Sequence, residues 1–170
     1  MLTLRCLLLS SFAALLCGCA GYKLGPTGGQ TAGARTIQIV PFSNRTLEPR
    51  IGDTATEALR KQIQRDGTFR LATHEAGDII VTGVITSYKR VEETLSPTDA
   101  ASAQDYRLSM TVQVTARDRV TDKVVLDQPV TGNTLIIVGN DLQSSERQGL
   151  PLLAANLARN ITALLVDGSW

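Results

Sequence analysis

The side chains able to do covalent chemistry are few and gathered at one end of the chain. Cys6, Cys17 and Cys19 all fall within the first nineteen residues, and no cysteine follows. A cysteine thiolate can attack a carbonyl, bind a metal, pair in a disulfide or carry a lipid. The first two need partners that this sequence does not supply, and a disulfide needs a second cysteine in the mature chain. His74 is the single histidine. It stands in a HEAGD turn and reads as an exposed surface residue rather than a general base. A zinc site lacks its histidine and cysteine ligands. Glu92 and Glu93 are adjacent on an expected strand, so their carboxylates point to opposite faces and do not converge on a metal. No G-x-S-x-G elbow, phosphate-binding loop or dinucleotide fingerprint is present, and Gly28-Gly29 does not link a strand to a helix. The expectation is a protein that is not an enzyme, with no catalytic residue, no metal and no dissociable cofactor.

What remains for cysteine is the lipid. Between Cys6 and Cys17 runs CLLLSSFAALLC, twelve residues without a charge. Crossing about 30 Å of hydrocarbon takes roughly 20 apolar residues, whereas the core of a signal peptide takes about 7–15. Arg5 supplies a thin positive start. The following Leu16-Cys17-Gly18-Cys19 resembles the lipobox of bacterial lipoproteins, in which leucine stands three residues before the cysteine that becomes the new N-terminus. Cys19 fits that place; at Cys17, bulky Leu16 would occupy the cleavage bond. Cleavage before Cys19 removes Cys6 and Cys17, leaving one cysteine and no intramolecular disulfide. Two or three acyl chains, at about 0.8 kcal/mol per buried CH₂, anchor such an N-terminus stably. This covalent lipid on Cys19 is the one non-protein group expected. By analogy with enterobacterial sorting, Ala20 at the place where Asp would retain a lipoprotein at the inner membrane points to the outer membrane. The plainer alternative is an ordinary secretory signal with incidental cysteines.

Three segments follow: 1–18 as a cleaved lipoprotein signal peptide, 19–35 as the acylated N-terminus and a short flexible tether, and 36–170 as one domain. The tether reads AGYKLGPTGGQTAGAR, rich in glycine and small residues. In TIQIVPF, Ile37, Ile39 and Pro41 fall on one side of a first strand. Asn44, Arg45 and Thr46 read as a polar turn. Ile51, Ala55, Leu59 and Ile63 recur at helical spacing, acidic residues lead and basic residues trail, and Gly67 stops the pattern; the helix is expected over 50–66. TFRLAT at 68–73 is a short strand. DIIVTGVITSYKRVE at 78–92 is a long one, rich in β-branched residues. From Tyr106 to Arg117 apolar and polar residues alternate strictly, placing one face on a core and the other in a polar setting. A turn at 119–124 leads to a partner strand over 124–138, in which Pro129 hints at an edge or a bulge. Leu150, Leu153, Leu157, Ile161, Leu164 and Leu165 line a C-terminal helix, with Pro151 in its first turn or at a kink near its start. The fold class is α+β: a four- to five-stranded mixed or antiparallel sheet with two helices on one face.

Charge is balanced. Arg5 is the only charged residue before Cys19, which leaves sixteen basic and sixteen acidic side chains. A non-specific nucleic-acid binder needs a large basic excess, so that partner is excluded. A local basic patch for an anionic ligand stays open. If 78–92 and 105–118 pair antiparallel, Lys89 and Arg90 lie at one end near Arg107, and Arg117, Arg119 and Lys123 lie at the other. Either group could take phosphates. The plainer reading is that they are solvated strand ends that deter edge-to-edge association.

Taken in order, the lipobox, CAGYKLG after it, IQIVPFSNRTLEPRIGDTATEALRKQIQRDGTFRL, AGDIIVTGVITSY and a final amphipathic helix ending near Trp170 resemble the LPS-assembly lipoprotein family, LptE. The likeness covers essentially all of 19–170. The departures are slight: Ala20 between Cys19 and Gly21-Tyr22, and Ala76-Gly77-Asp78 where the family has an Ala-Asp pair. The resemblance implies a lipoprotein on the periplasmic face of the outer membrane that sits as a plug in a large β-barrel of the LptD type. With that barrel it would insert lipopolysaccharide (LPS) into the outer leaflet. LPS is a multiply anionic amphiphile, so Lys89, Arg90, Arg117, Arg119 and Lys123 are the candidate LPS-binding residues. The competing resemblance is to outer-membrane lipoproteins that activate a peptidoglycan synthase, which also carry an N-R-T stretch, as at Asn44-Arg45-Thr46, and a G-x-F-R strand, as at Gly67 to Arg70. Reaching such a synthase needs a long linker, and about sixteen tether residues give too little extended reach.

Overall fold

The computed structural model describes residues 32–93, 104–138 and 141–168. The expected signal peptide, Cys19, the expected tether up to residue 31, the 94–103 connection and Trp170 lie outside the described residues. The elements run β1 (Arg35–Ile39), β2 (Ser43–Asn44), α1 (Ile51–Asp66), β3 (Phe69–Leu71), β4 (Ile79–Glu93), β5 (Gln104–Asp118), β6 (Val124–Val138) and α2 (Leu142–Asp167). One sheet holds the order β3-β1-β4-β5-β6, with β2 also pairing β4. β3, β1 and β4 are mutually parallel, and β4, β5 and β6 form an antiparallel ladder. This is the α+β architecture expected from the sequence, with β2 added where a polar turn was read.

Both helices cover one face, and the core lies between them and the sheet. Ile37, Ile79, Val81, Ile85, Leu108, Met110, Val112 and Val114 meet Leu59, Ile63, Leu153, Leu157, Ile161 and Leu165, all fully or almost fully buried. The β5 alternation is realised as read: even residues from Leu108 to Ala116 face the core, and the odd ones face outward. Pro41 is exposed, so β1 ends at Ile39 and the apolar row passes to Phe42 instead. Phe42 is tied to α1: its N–H donates to the Thr56 hydroxyl at 2.9 Å, which in turn donates to the Gly52 carbonyl at 2.7 Å. α1 stops as expected: Gly67 takes a left-handed φ of 76° and its N–H bonds the Ile63 carbonyl at 3.1 Å.

α2 departs from expectation at its start. It begins at Leu142, about two turns ahead of Leu150, and Pro151 sits inside it. The helix is nucleated upstream by Asp141, whose carboxylate accepts from the N–H groups of Gln143 and Ser144 at 3.0 and 3.1 Å. That cap and the packing of Gly149 against Ile136 and Leu108 outweigh the hydrogen bond forfeited at proline. α2 is long and apolar enough to cross a membrane by length and composition. Its apolar stripe is already buried on β5, β6 and α1, which makes it a core helix.

Candidate binding surface

A β-bulge decides which strand residues share a face. β4 pairs β5 in steady register from Ile79↔Asp118 to Ile85↔Val112, and resumes at Ser87↔Thr111. Thr86 is the extra residue. Before it, odd residues of β4 face the helices; after it, Tyr88 and Arg90 do. The sequence expectation set Lys89 and Arg90 together at one end of the ladder. They are at that end, but on opposite faces.

Arg90 turns to the helix side and pairs with Glu146 of α2 at 2.6 Å. The Tyr88 hydroxyl donates to the other oxygen of the same carboxylate. Burial, reinforced by the Glu146 hydrogen bond, holds the Tyr88 phenol well above its ordinary pKa. Tyr88, Arg90 and Glu146 share an open cleft with Thr46, Leu47 and Glu48. Lys89 remains on the outer face beside Ser109 and Asn133, and its ammonium has no ion-pair partner among the described residues. Arg107 is neutralised by Glu93, whose carboxyl is held low, and the Arg107 pKa raised, by the hydrogen bond between them.

The other basic group is divided as well. Arg119 donates from Nε to the Gly77 carbonyl at 3.1 Å, inside a latch that joins the starts of β1 and β4 to the end of β5. In that latch Asp78 accepts the Thr36 N–H and hydroxyl, both at 2.8 Å, and Asp118 accepts the Val120 and Thr121 N–H groups, both at 2.9 Å, and Arg35. The Thr36 backbone bond is the main reason the Asp78 carboxyl is held below its ordinary pKa, and the Thr121 backbone bond does the same for Asp118. Arg117 points outward and pairs with Asp122 at 3.0 Å. Lys123 is exposed in the β5–β6 turn without an ion-pair partner among the described residues. Of the five candidates, then, Lys89 and Lys123 keep uncommitted charges, Arg90 and Arg117 are paired, and Arg119 serves the latch. His74 is exposed on the rim of a cleft with Gln38, Pro41, Arg60 and Glu75. Among the described residues no group of three or more His, Cys, Asp or Glu side chains could hold a metal.

The sequence reading placed the outer sheet face in a polar setting, and what it missed is where that face turns apolar. Its middle is a polar band: Thr111 and Thr131 share a hydrogen bond at 2.9 Å, and Asp127 accepts from Gln113 at 2.7 Å and Thr115 at 3.1 Å. Toward the far end of the ladder the same face turns apolar at Val91, Leu135 and Ile137, which are 54%, 55% and 69% exposed. The signal was present in Leu135-Ile136-Ile137-Val138, where the alternation of β6 fails and both strand faces become apolar. No local signal announced the meeting of Tyr88 and Arg90 with Glu146, more than fifty residues away.

Solved structures share this fold. The hypothetical protein CT253 from Chlamydia trachomatis superposes with a TM-score of 0.58 at 14% identity, over 80% of this chain and 96% of that one. Protein XCC0632 from Xanthomonas campestris gives 0.53 at 12% identity, over 85% and 91%. A minor lipoprotein from Acinetobacter baumannii gives 0.50 at 15% identity, over 77% and 91%. No curated protein matches the chain in sequence. A family model described as LptE, lipopolysaccharide-assembly, matches residues 34–165, the whole of the domain apart from its last residues. With the order of elements, the two-helix face and the match in agreement, the chain belongs to the LptE family of lipopolysaccharide-assembly proteins.

Proposed function

We propose that this protein is a lipoprotein of the outer membrane, held at its periplasmic face by acylated Cys19, that plugs and assists a large LptD-like β-barrel inserting LPS into the outer leaflet. Family membership supports a role in LPS assembly and a non-catalytic one. The observation that carries the plug reading is the polar band of Thr111, Gln113, Thr115, Asp127 and Thr131 on the face turned away from the helices. The interior of a large membrane barrel is polar and wet. A sheet face of hydroxyls and amides can sit against such a wall without stranding apolar surface. Lys89 and Lys123 carry the uncommitted charges for LPS phosphates, with Arg90, Arg117 and Arg119 secondary because their guanidinium groups are already engaged.

The test is affinity purification of the full chain from detergent-solubilised envelope, followed by mass spectrometry. A large outer-membrane β-barrel should be recovered in about equal amount. Recovery of a penicillin-binding synthase with no barrel would overturn the plug and move the protein to the activator reading.

A further inference from the structure

The outer edge of β6 is capped by α2 in its middle and open beyond Asn133. An edge strand presents a row of N–H and C=O groups to any passing chain. On β6 this row belongs to the odd-numbered residues, as their bonds to α2 show. The Asn160 side-chain amide donates to the Thr131 carbonyl at 2.8 Å, and the Asn133 N–H donates to the Asn156 side-chain oxygen at 3.0 Å. Pro129, further back, has no N–H to offer. Asn156 and Asn160 stand one helical turn apart, so α2 runs beside the edge and caps it at Thr131 and Asn133. One more turn toward the helix start reaches Leu152, which has no hydrogen-bonding group and is 61% exposed. The packing of Gly149 on Ile136 places this stretch of α2 at the far end of β6. Beyond Asn133 the edge residues are Leu135 and Ile137. Their outward N–H and C=O groups have no partner among the described residues, and their side chains are mostly exposed. The capping ends where the exposed apolar side chains begin.

We infer that the 134–138 edge of β6, with Leu152 beside it, is a docking site for an extended segment of the barrel partner, which adds to the sheet as a further strand. The inference rests on the barrel reading above. Donors and acceptors alternating at strand spacing recognise a polypeptide backbone rather than a lipid. Two copies joined through so short a window would bury far less than the roughly 1,200 Å² typical of a stable association. A segment of a partner already held around the domain does not have to carry the affinity alone. Strands within a closed barrel wall have no free edge, so the segment is one that leaves the wall.

The experiment is hydrogen exchange on the full chain, alone and in the detergent-solubilised complex with its co-purified barrel. Alone, the Leu135 and Ile137 amides should exchange freely while the Asn133 amide is protected. In the complex both should slow by at least about tenfold. Leu152→Asn, which continues the asparagine series at an exposed position, should leave the free protein folded and weaken barrel retention about tenfold. Unchanged exchange of both amides in a stoichiometric complex overturns strand docking and leaves the plug standing. Absence of any barrel overturns both. Protection that appears in the isolated protein as its concentration rises assigns the edge to a second copy and overturns the inference as well.

Discussion

At the residue scale, the charged groups sort by what holds them rather than by where they fall in the chain. Asp78 and Asp118 look like ordinary turn acids in the sequence. In the fold Asp78 ties the start of β1 to that of β4, and Asp118, at the end of β5, accepts two N–H groups of the following turn and Arg35 of β1. Both carboxyls are held below their ordinary pKa, chiefly by backbone N–H donors. A carboxyl whose folded pKa is depressed contributes stability that is in full above its unfolded pKa, near 4, and is lost as pH falls through the lower folded value. Acid unfolding followed by circular dichroism should therefore steepen below about pH 4. Asp78→Asn should lower stability at neutral pH and flatten that acid limb. An acid limb identical to that of the parent protein would mean that the charge of Asp78 contributes nothing to the latch. The same accounting separates Lys89 and Lys123, whose ammonium groups are uncommitted, from Arg119, whose guanidinium is part of the latch.

At the element scale, the contact between α2 and β6 is set by glycine. A Cβ on Gly132 would stand 2.6 Å from the Leu157 Cβ, 2.7 Å from its N and 2.8 Å from its Cα. Helix backbone cannot swing aside as a side chain can, so the strand and helix would have to part. Gly132→Ala should destabilise the fold by about 1–3 kcal/mol, the usual cost of overpacking, read as a lower urea midpoint with an unchanged slope. Gly149 is a milder case, because the nearest atom to its added Cβ is the Ile136 Cγ2 at 2.4 Å, on a side chain. The bulge at Thr86 acts at this scale too. It exchanges the faces of β4 and thereby delivers Tyr88 and Arg90 to α2 while leaving Lys89 outside. The helix dipole argument and the glycine stop located α1 because both act within a turn or two of the residues concerned. Pro151 suggests a boundary in the sequence, whereas the Asp141 cap and the packing of Gly149 set the start of α2 upstream of it.

At the scale of the whole molecule, the antiparallel ladder is long and directional. β4, β5 and β6 are each fifteen residues, about 50 Å of strand. The chain enters at the end that carries Arg35, Asp118, Arg119 and Lys123, and β4 runs away from it. Lys89, Leu135 and Ile137 lie at the far end. Cys19→Ala should leave a folded domain and shift it from the membrane fraction to the soluble fraction on cell fractionation. Persistent membrane association would place the anchor elsewhere. The polar band between the two ends is the feature on which the proposed plug role rests.

The sequence by itself determined what depends on short-range spacing. Period-two alternation in β5, the helical repeat of α1 and its glycine stop are enforced by neighbours a few bonds away, and each was legible for that reason. The antiparallel neighbours β4, β5 and β6 were also within reach because they follow one another in the chain, whereas the place of β1 between β3 and β4 was not. The tertiary structure alone decided which charges are free. An ion pair such as Arg90 with Glu146 depends on a bulge that resets side-chain parity and on a helix brought back from fifty-six residues away. The capping of β6 by Asn156 and Asn160 depends on two elements lying at a fixed angle and rise. Local propensity carries no information about such meetings, because their energy appears only once both partners are already in place.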